Sequence, residues 1–299
     1  MKAALWSAWV ILLAVDAHGQ WRILFERQTQ YHQVIVAEAG NLRRLHFNNT
    51  VQSSMDPRNP LNGFMEYTDY VYCAFLFNRD IQDVLLIGLG GGSLPKGMLA
   101  NFPNARMDVA EIDPVVVDVA REYFAMRDDP RLKVHVGDGR VFVKRAAKRY
   151  DLIILDAYSG SRYGLTVPRH LTTREFLQEI HDHLTPAGLL VYNIATDLGQ
   201  RDSRMTRALA RTAGVVFRSQ YAWDVETSNN TILVALKSPQ TLTRDQLVER
   251  ARRLMEETRM DIPRFMQRVV RLRTEPYRTD DVPLLTDNYA PVDSLMRTR

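Results

Sequence analysis

The residues best suited to chemistry are a glycine cluster and three carboxylates, each standing at the end of a short apolar run. Val84 to Ile87 runs into Gly88, Gly90, Gly91 and Gly92, and a helical segment opens near Ser93 and Leu94. About twenty residues further on, where a nucleotide-binding βαβ unit carries its acid, a second apolar run ends at Glu111. Glycines let such a turn pass close to a ligand and reach φ > 0 without a Cβ clash. Glu111 is placed to accept hydrogen bonds from both hydroxyls of a ribose. Asp138, between Gly137 and Gly139, suits an adenine amino group, although an Asp between glycines also suits a turn or a helix N-cap. Asp156 ends the run YDLIIL and is either a cap for the next loop or a functional acid. The company of the other three positions favours the acid, and together they point to an adenosine-type ligand.

These positions need strands to carry them. The sequence predicts strands at Val84–Gly88, Met107–Glu111, Leu132–Val136, Leu152–Asp156, Gly188–Asn193, Val215–Gln220 and Thr231–Leu236. Helices fit between them at Leu94–Asn101, Val115–Tyr123, Arg140–Ala147, Thr173–His183 and Ser203–Thr212, with Pro95 and Pro114 near helix starts. Seven strands alternating with helices make an α/β doubly wound sheet, whose ligands bind beyond the carboxyl ends of the strands. The last two strands, joined by a turn near Asn229-Asn230, could pair antiparallel. Upstream, Gln33 to Glu38 and Leu42 to Phe47 alternate around a Gly40-Asn41 turn, the pattern of a small antiparallel β-domain. Asp56 to Asn62 reads as a linker with two prolines, and Phe64 to Phe77 as an apolar helical stretch between the two parts. The division expected is residues 20–62 for the β-domain and linker, and 63–299 for the nucleoside-binding domain.

Composition narrows the class. A chain of 299 residues holds one large domain or a large and a small one. The net charge of +4 equals the excess between Arg244 and Arg278, ten arginines against six acids. Only two aromatics, Phe265 and Tyr277, fall among them, so this region reads as a solvated amphipathic helix and not as a nucleic-acid surface. Cys73 stands alone, which excludes a disulfide framework and a cysteine-rich metal site, and reads as core packing. The first 19 residues follow the plan of a secretory signal peptide: Lys2, an apolar run from Ala3 to Val15, and a cleavage site at Ala17-His18-Gly19. Export to the periplasm or beyond is the expectation from that leader.

IGLGGGS, AEIDP, DDPRLKVHVGDGRVFV, YDLIILDAY, LTTREFL and LTPAGLLVYNI follow one another in the order and spacing of the spermidine synthases. LLTDNYAPVD resembles the tail of their bacterial spermidine-synthase-like relatives. The resemblance implies a Rossmann-like, seven-stranded methyltransferase-type sheet behind the N-terminal β-domain. It implies a sulfonium nucleoside co-substrate, S-adenosylmethionine or decarboxylated S-adenosylmethionine, a small-molecule amine acceptor such as a polyamine, and a homodimer paired through the β-domain. Glu111 would hold the ribose and Asp138 the adenine, with Gly88, Gly90, Gly92, Gly139 and His32 around the nucleoside. Asp156 would activate the acceptor amine, beside Glu66, Tyr70, Tyr158 and Ser159. No metal is needed, because a sulfonium is already a good leaving group.

Several positions depart from the family. Gly91 stands where spermidine synthases have an aspartate that pairs with the aminopropyl amine, so its bare N–H could instead donate to a carboxylate. Ser159 replaces a second aspartate, and Asp69-Tyr70-Val71 aligns with a tyrosine-histidine-glutamate acceptor motif. His32, next to Tyr31, takes the place of a glutamine, while Glu66 matches. Methyl transfer from intact S-adenosylmethionine is therefore an alternative to aminopropyl transfer to an amine. A nicotinamide-dependent oxidoreductase fits poorly, because the third glycine of its fingerprint falls on Ser93. A nucleoside-binding protein without catalysis is the third reading; export favours it, whereas a sulfonium nucleoside argues for the cytoplasm.

Overall fold

The alternating stretches between Arg22 and Gly63 pair into an antiparallel sheet, as their period of two requires. The computed structural model describes residues 20–161, 164–195, 203–258 and 260–296, with the side chains of 159–165 left out; the leader and cleavage site expected within residues 1–19 lie outside the described residues. Strands β1 (Arg22–Gln28), β2 (Gln33–Ala39), β3 (Leu42–Phe47), β4 (Thr50–Asp56) and β5 (Asn59–Gly63) lie side by side in chain order. The stretch expected to be a linker is thus the β4–β5 hairpin. Asp56 closes its turn by accepting from the Arg58 N–H at 2.9 Å, and Pro60 is tolerated because β5 is an edge strand.

The apolar stretch after β5 forms a short helix, α1 (Tyr67–Tyr70), that tightens into a 3-10 turn over Val71–Leu76. Every residue from Val71 to Phe77 is buried, and Phe75 stacks on Phe102 with ring centroids 3.7 Å apart. Cys73 is part of this packing, and burial pushes its thiol well above the usual range.

The second sheet comprises β6 (Asp83–Ile87), β7 (Arg106–Glu111), β8 (Leu132–Val136), β9 (Tyr150–Leu155), β12 (Leu184–Ala195), β13 (Ser219–Asp224) and β14 (Asn230–Leu236); a small hairpin, β10 (Ser159–Ser161) and β11 (Gly164–Thr166), follows β9. The order across the sheet is β13-β14-β12-β9-β6-β7-β8. The central strands run parallel, while β14 pairs antiparallel with both β12 and β13. Helices α2 (Ser93–Asn101), α3 (Pro114–Tyr123), α4 (Gly139–Arg145), α5 (Arg174–Asp182) and α6 (Arg204–Val216) connect the strands. Coverage on both faces explains why β6 and β9 are nearly uninterrupted apolar runs. The strand order reverses beside β6, between β7 and β9, which is where such sheets hold ligands.

Two expectations fail in the second half. Val215–Gln220 is not a strand: α6 runs through Val216 and β13 begins at Ser219. Met205, Leu209, Ala213 and Phe217 recur every four residues and are all buried, so helical periodicity overrides the local β-branched pair. The basic region is not wholly a solvated face either. It forms α7 (Arg244–Glu257) and α8 (Phe265–Val269), and Arg268 is only 6% exposed. The last element among the described residues is α9 (Val292–Met296).

Candidate active site

The carboxyl ends of β6, β7, β8, β9 and β12 converge on one cavity of about 340 Å³, closed on its far side by the N-terminal sheet. Gly88 follows β6 with φ +95°, and a Cβ there would lie 2.2 Å from the Asp156 carbonyl oxygen. No side chain fits between these two strand ends. Gly139 allows α4 the same close approach, since its Cβ would meet Ile87 Cγ2 at 2.3 Å.

Glu111 is buried, and its carboxylate is already organised by the backbone. Oε2 accepts from the Leu89 N–H and Oε1 from the Asp113 N–H, both at 2.9 Å. Desolvation raises its pKa, and these hydrogen bonds oppose the rise. A carboxylate has about four acceptor sites, so these bonds leave acceptor capacity on Glu111, which lines the cavity. Asp138 is a helix cap that also stands on the cavity wall. It caps α4 by accepting from the Val141 N–H at 2.9 Å, and it lines the cavity with Oδ2 2.8 Å from His170 Nε2.

Asp156 is held from two sides. Oδ2 accepts from the Tyr67 hydroxyl at 2.9 Å and Oδ1 from the Asn193 amide at 2.8 Å. Burial pushes its pKa up to about 6, against the pull of those two donors. The Asn193 carbonyl oxygen accepts in turn from Asn230 at 2.8 Å, so a chain of amides ends on the carboxylate. The Tyr158 hydroxyl donates to the Asn193 backbone carbonyl and accepts from the Ala195 N–H at 2.8 Å, which fixes β12 against the loop after β9.

His32 reaches the cavity from the N-terminal sheet, stacked on Phe47 with centroids 3.7 Å apart. It is 4% exposed, and desolvation lowers its pKa, opposed by Asp113. Nε2 stands 3.5 Å from Asp113 Oδ2, yet neither ring nitrogen has a hydrogen-bond partner among the described residues.

Other expected residues stand elsewhere. Gly90 lines the cavity, but Gly91 and Gly92 are not among its lining residues. The Gly91 N–H donates to Ser53 Oγ at 2.8 Å, so it binds the N-terminal sheet and is not offered to a ligand. Glu66 and Tyr70 face α8: Glu66 accepts from the Thr227 N–H at 2.9 Å, and Arg268 pairs with Asp69 at 2.8 Å and lies over the Tyr70 ring. The Ser159 side chain lies outside the described residues. Tyr67, Asn193, Asn230 and His170 were not anticipated. Tyr67 was hidden in an apolar helical run, whereas Asn193, a lone amide inside LLVYNI, is a signal the sequence did offer.

Residues 67–237 match the spermine/spermidine synthase domain, more than half of the chain. The chain belongs to the spermine/spermidine synthase family. It is a transferase of that family. Over 95% of both chains it is 31% identical to a polyamine aminopropyltransferase of Vibrio vulnificus (strain CMCP6). Over 59% of its length it is also 35% identical to an eEF1A lysine and N-terminal methyltransferase of Bos taurus, of which it covers 26%. The structure of human methyltransferase-like protein 13 in complex with SAH superposes with a TM-score of 0.56 at 28% identity, over 75% of this chain and 99% of that one. Family membership and the methyltransferase-type sheet are thus established together.

Proposed function

We propose that the protein transfers the aminopropyl group of decarboxylated S-adenosylmethionine to a small amine, with Asp156 accepting the amine proton. The observation that carries the reading is the Asp156 carboxylate on the cavity wall, oriented by Tyr67 and Asn193 and raised to about 6. The cavity fits the nucleoside: two carboxylates are spaced along the strand ends, Ile87, Leu89 and Ile112 offer apolar walls, and His32 has buried ring nitrogens without hydrogen-bond partners among the described residues. Glu111 would hold the ribose hydroxyls, with His32 alongside, and Asp138 the adenine amino group.

The sulfonium supplies a carbon with a neutral thioether as leaving group. The chain's own residues do the rest. An ammonium brought beside Asp156 loses solvation, which lowers its pKa while burial raises that of the carboxyl. The gap between donor and acceptor narrows, and a positioned base contributes about 10²–10⁴-fold. The nitrogen lone pair then forms the new C–N bond, the C–S electrons leave on sulfur, and the proton stays on Asp156. Methylthioadenosine formed from decarboxylated S-adenosylmethionine and a diamine tests the reading; a folded sample that turns over no amine would overturn it.

Methyl transfer from intact S-adenosylmethionine is the second reading. It is favoured by the likeness to the methyltransferases, one of them solved in complex with SAH. S-adenosylhomocysteine as the product, in place of methylthioadenosine, would decide for it.

A further inference from the structure

The Asp138 carboxylate is held by more than its own helix. Oδ1 is fixed by the Val141 N–H, and Oδ2 by His170 on a 3-10 turn at Arg169–Leu171, distant in sequence. That turn is tied back by Arg140, two residues after Asp138, whose Nη1 donates to the His170 carbonyl at 3.2 Å. Arg140 is itself clamped between two carboxylates. Nε and Nη2 donate to Glu179 at 2.9 and 2.8 Å, while Nη1 and Nη2 donate to Asp287 at 2.7 and 2.8 Å. Bidentate pairs of this kind fix orientation as well as distance.

Asp287 belongs to the C-terminal segment, far from the glycine loop in sequence. It accepts from Thr173 Oγ1 at 2.6 Å, and its own N–H donates to Glu175 at 2.9 Å. Hydrogen bonding to Arg140 lowers its pKa to about 2.

We infer that Asp287, Arg140 and His170 form a clasp by which the C-terminal segment positions Asp138 for recognition of the adenine amino group. The inference rests on the adenosine reading of the site. Arg140 and Asp287 act through His170 and Asp138 and are positioning residues. His170 lines the cavity and leaves a lone pair of Asp138 Oδ2 for the base. Without the clasp the carboxylate keeps its helix cap but loses its second anchor, and a turned carboxylate no longer separates a 6-amino from a 6-oxo base.

The experiment measures calorimetric dissociation constants for methylthioadenosine and methylthioinosine. In Asp287→Asn the adenine nucleoside should bind about tenfold more weakly, part of a charge-assisted hydrogen bond, while the hypoxanthine nucleoside is unchanged. His170→Ala should lower the same ratio without touching the tail, which keeps the test informative if Asp287→Asn fails to fold. With Asp138→Asn as background, Asp287→Asn should have no further effect on the ratio. Equal weakening of both nucleosides, or an unchanged ratio in both variants, would overturn the clasp while the nucleoside reading stands. A parent that binds neither nucleoside would overturn both.

Discussion

At the scale of single residues, Asp156 sets the pH dependence. Its proton must be off for it to accept one from the amine, and its pKa is about 6. Activity should therefore rise with pH through about 6 under kcat/KM conditions. Asp156→Asn should lower kcat by at least about 10² with nucleoside affinity nearly unchanged. A variant as active as the parent, or a flat profile between pH 5 and 7, would reduce Asp156 to a loop cap. Gly91 is a second case. A Cβ there would lie 2.9 Å from both the Phe124 ring and Ser53 Cβ. Gly91→Asp should therefore displace the N-terminal sheet and lower Tm, and should fail to create a preference for decarboxylated S-adenosylmethionine. In the parent, the two nucleosides should bind within about tenfold of each other, or ~1.4 kcal/mol. Competition titration checks both statements, and a 100-fold preference in the parent would show that another residue does the selecting.

At the scale of elements, the strand ends were legible and the packing between elements was not. Gly88, Glu111, Asp138 and Asp156 share one cavity because apolar runs broken by glycine or acid have few other foldings. Glu66 and Tyr70 do not line the cavity, and alignment with a motif carries no information about what packs on its far side. That partner is α8, whose Arg268 is buried against Asp69. β13 was displaced for a similar reason: Val215 and Val216 favour a strand locally, but the buried spacing of α6 is set by the sheet beneath it. The Arg268–Asp69 pair ties α8 to α1, so Arg268→Ala should destabilise the fold by about 3 kcal/mol. It should also change the pH response. Burial raises the Asp69 pKa to about 6 although Arg268 opposes the rise. A folded-state pKa above the unfolded value means the native state binds the proton more tightly, so this group favours folding as pH falls from 6 toward 4. Removing Arg268 should strengthen that trend. Denaturant unfolding at pH 5 and pH 7 reads it, and a variant whose deficit is larger at pH 5 would contradict the assignment.

At the scale of the whole molecule, the cavity belongs to neither sheet alone. His32, Phe47, Gln52 and Ser53 come from the N-terminal sheet and the strand ends from the other. The Ser53–Gly91 hydrogen bond joins the two at the glycine loop. A nucleoside seated there touches both, so binding should stabilise the protein as one cooperative unit. At one hundred times its Kd a ligand adds ~2.7 kcal/mol, which for a chain of this size raises Tm by about 5 °C. Methylthioadenosine should produce that shift in a single transition. Glu111→Ala should abolish it and also melt lower without ligand, since the Leu89 and Asp113 N–H groups both donate to this carboxylate. A buried donor left without an acceptor costs about 1–3 kcal/mol, so the lower baseline and the lost shift have one cause. Scanning calorimetry of parent and variant with and without nucleoside measures both. A Glu111→Ala protein that still gains about 5 °C would place the ribose away from the β7 end. Two separate transitions in the parent, only one of them moved by ligand, would mean that the N-terminal sheet takes no part in binding.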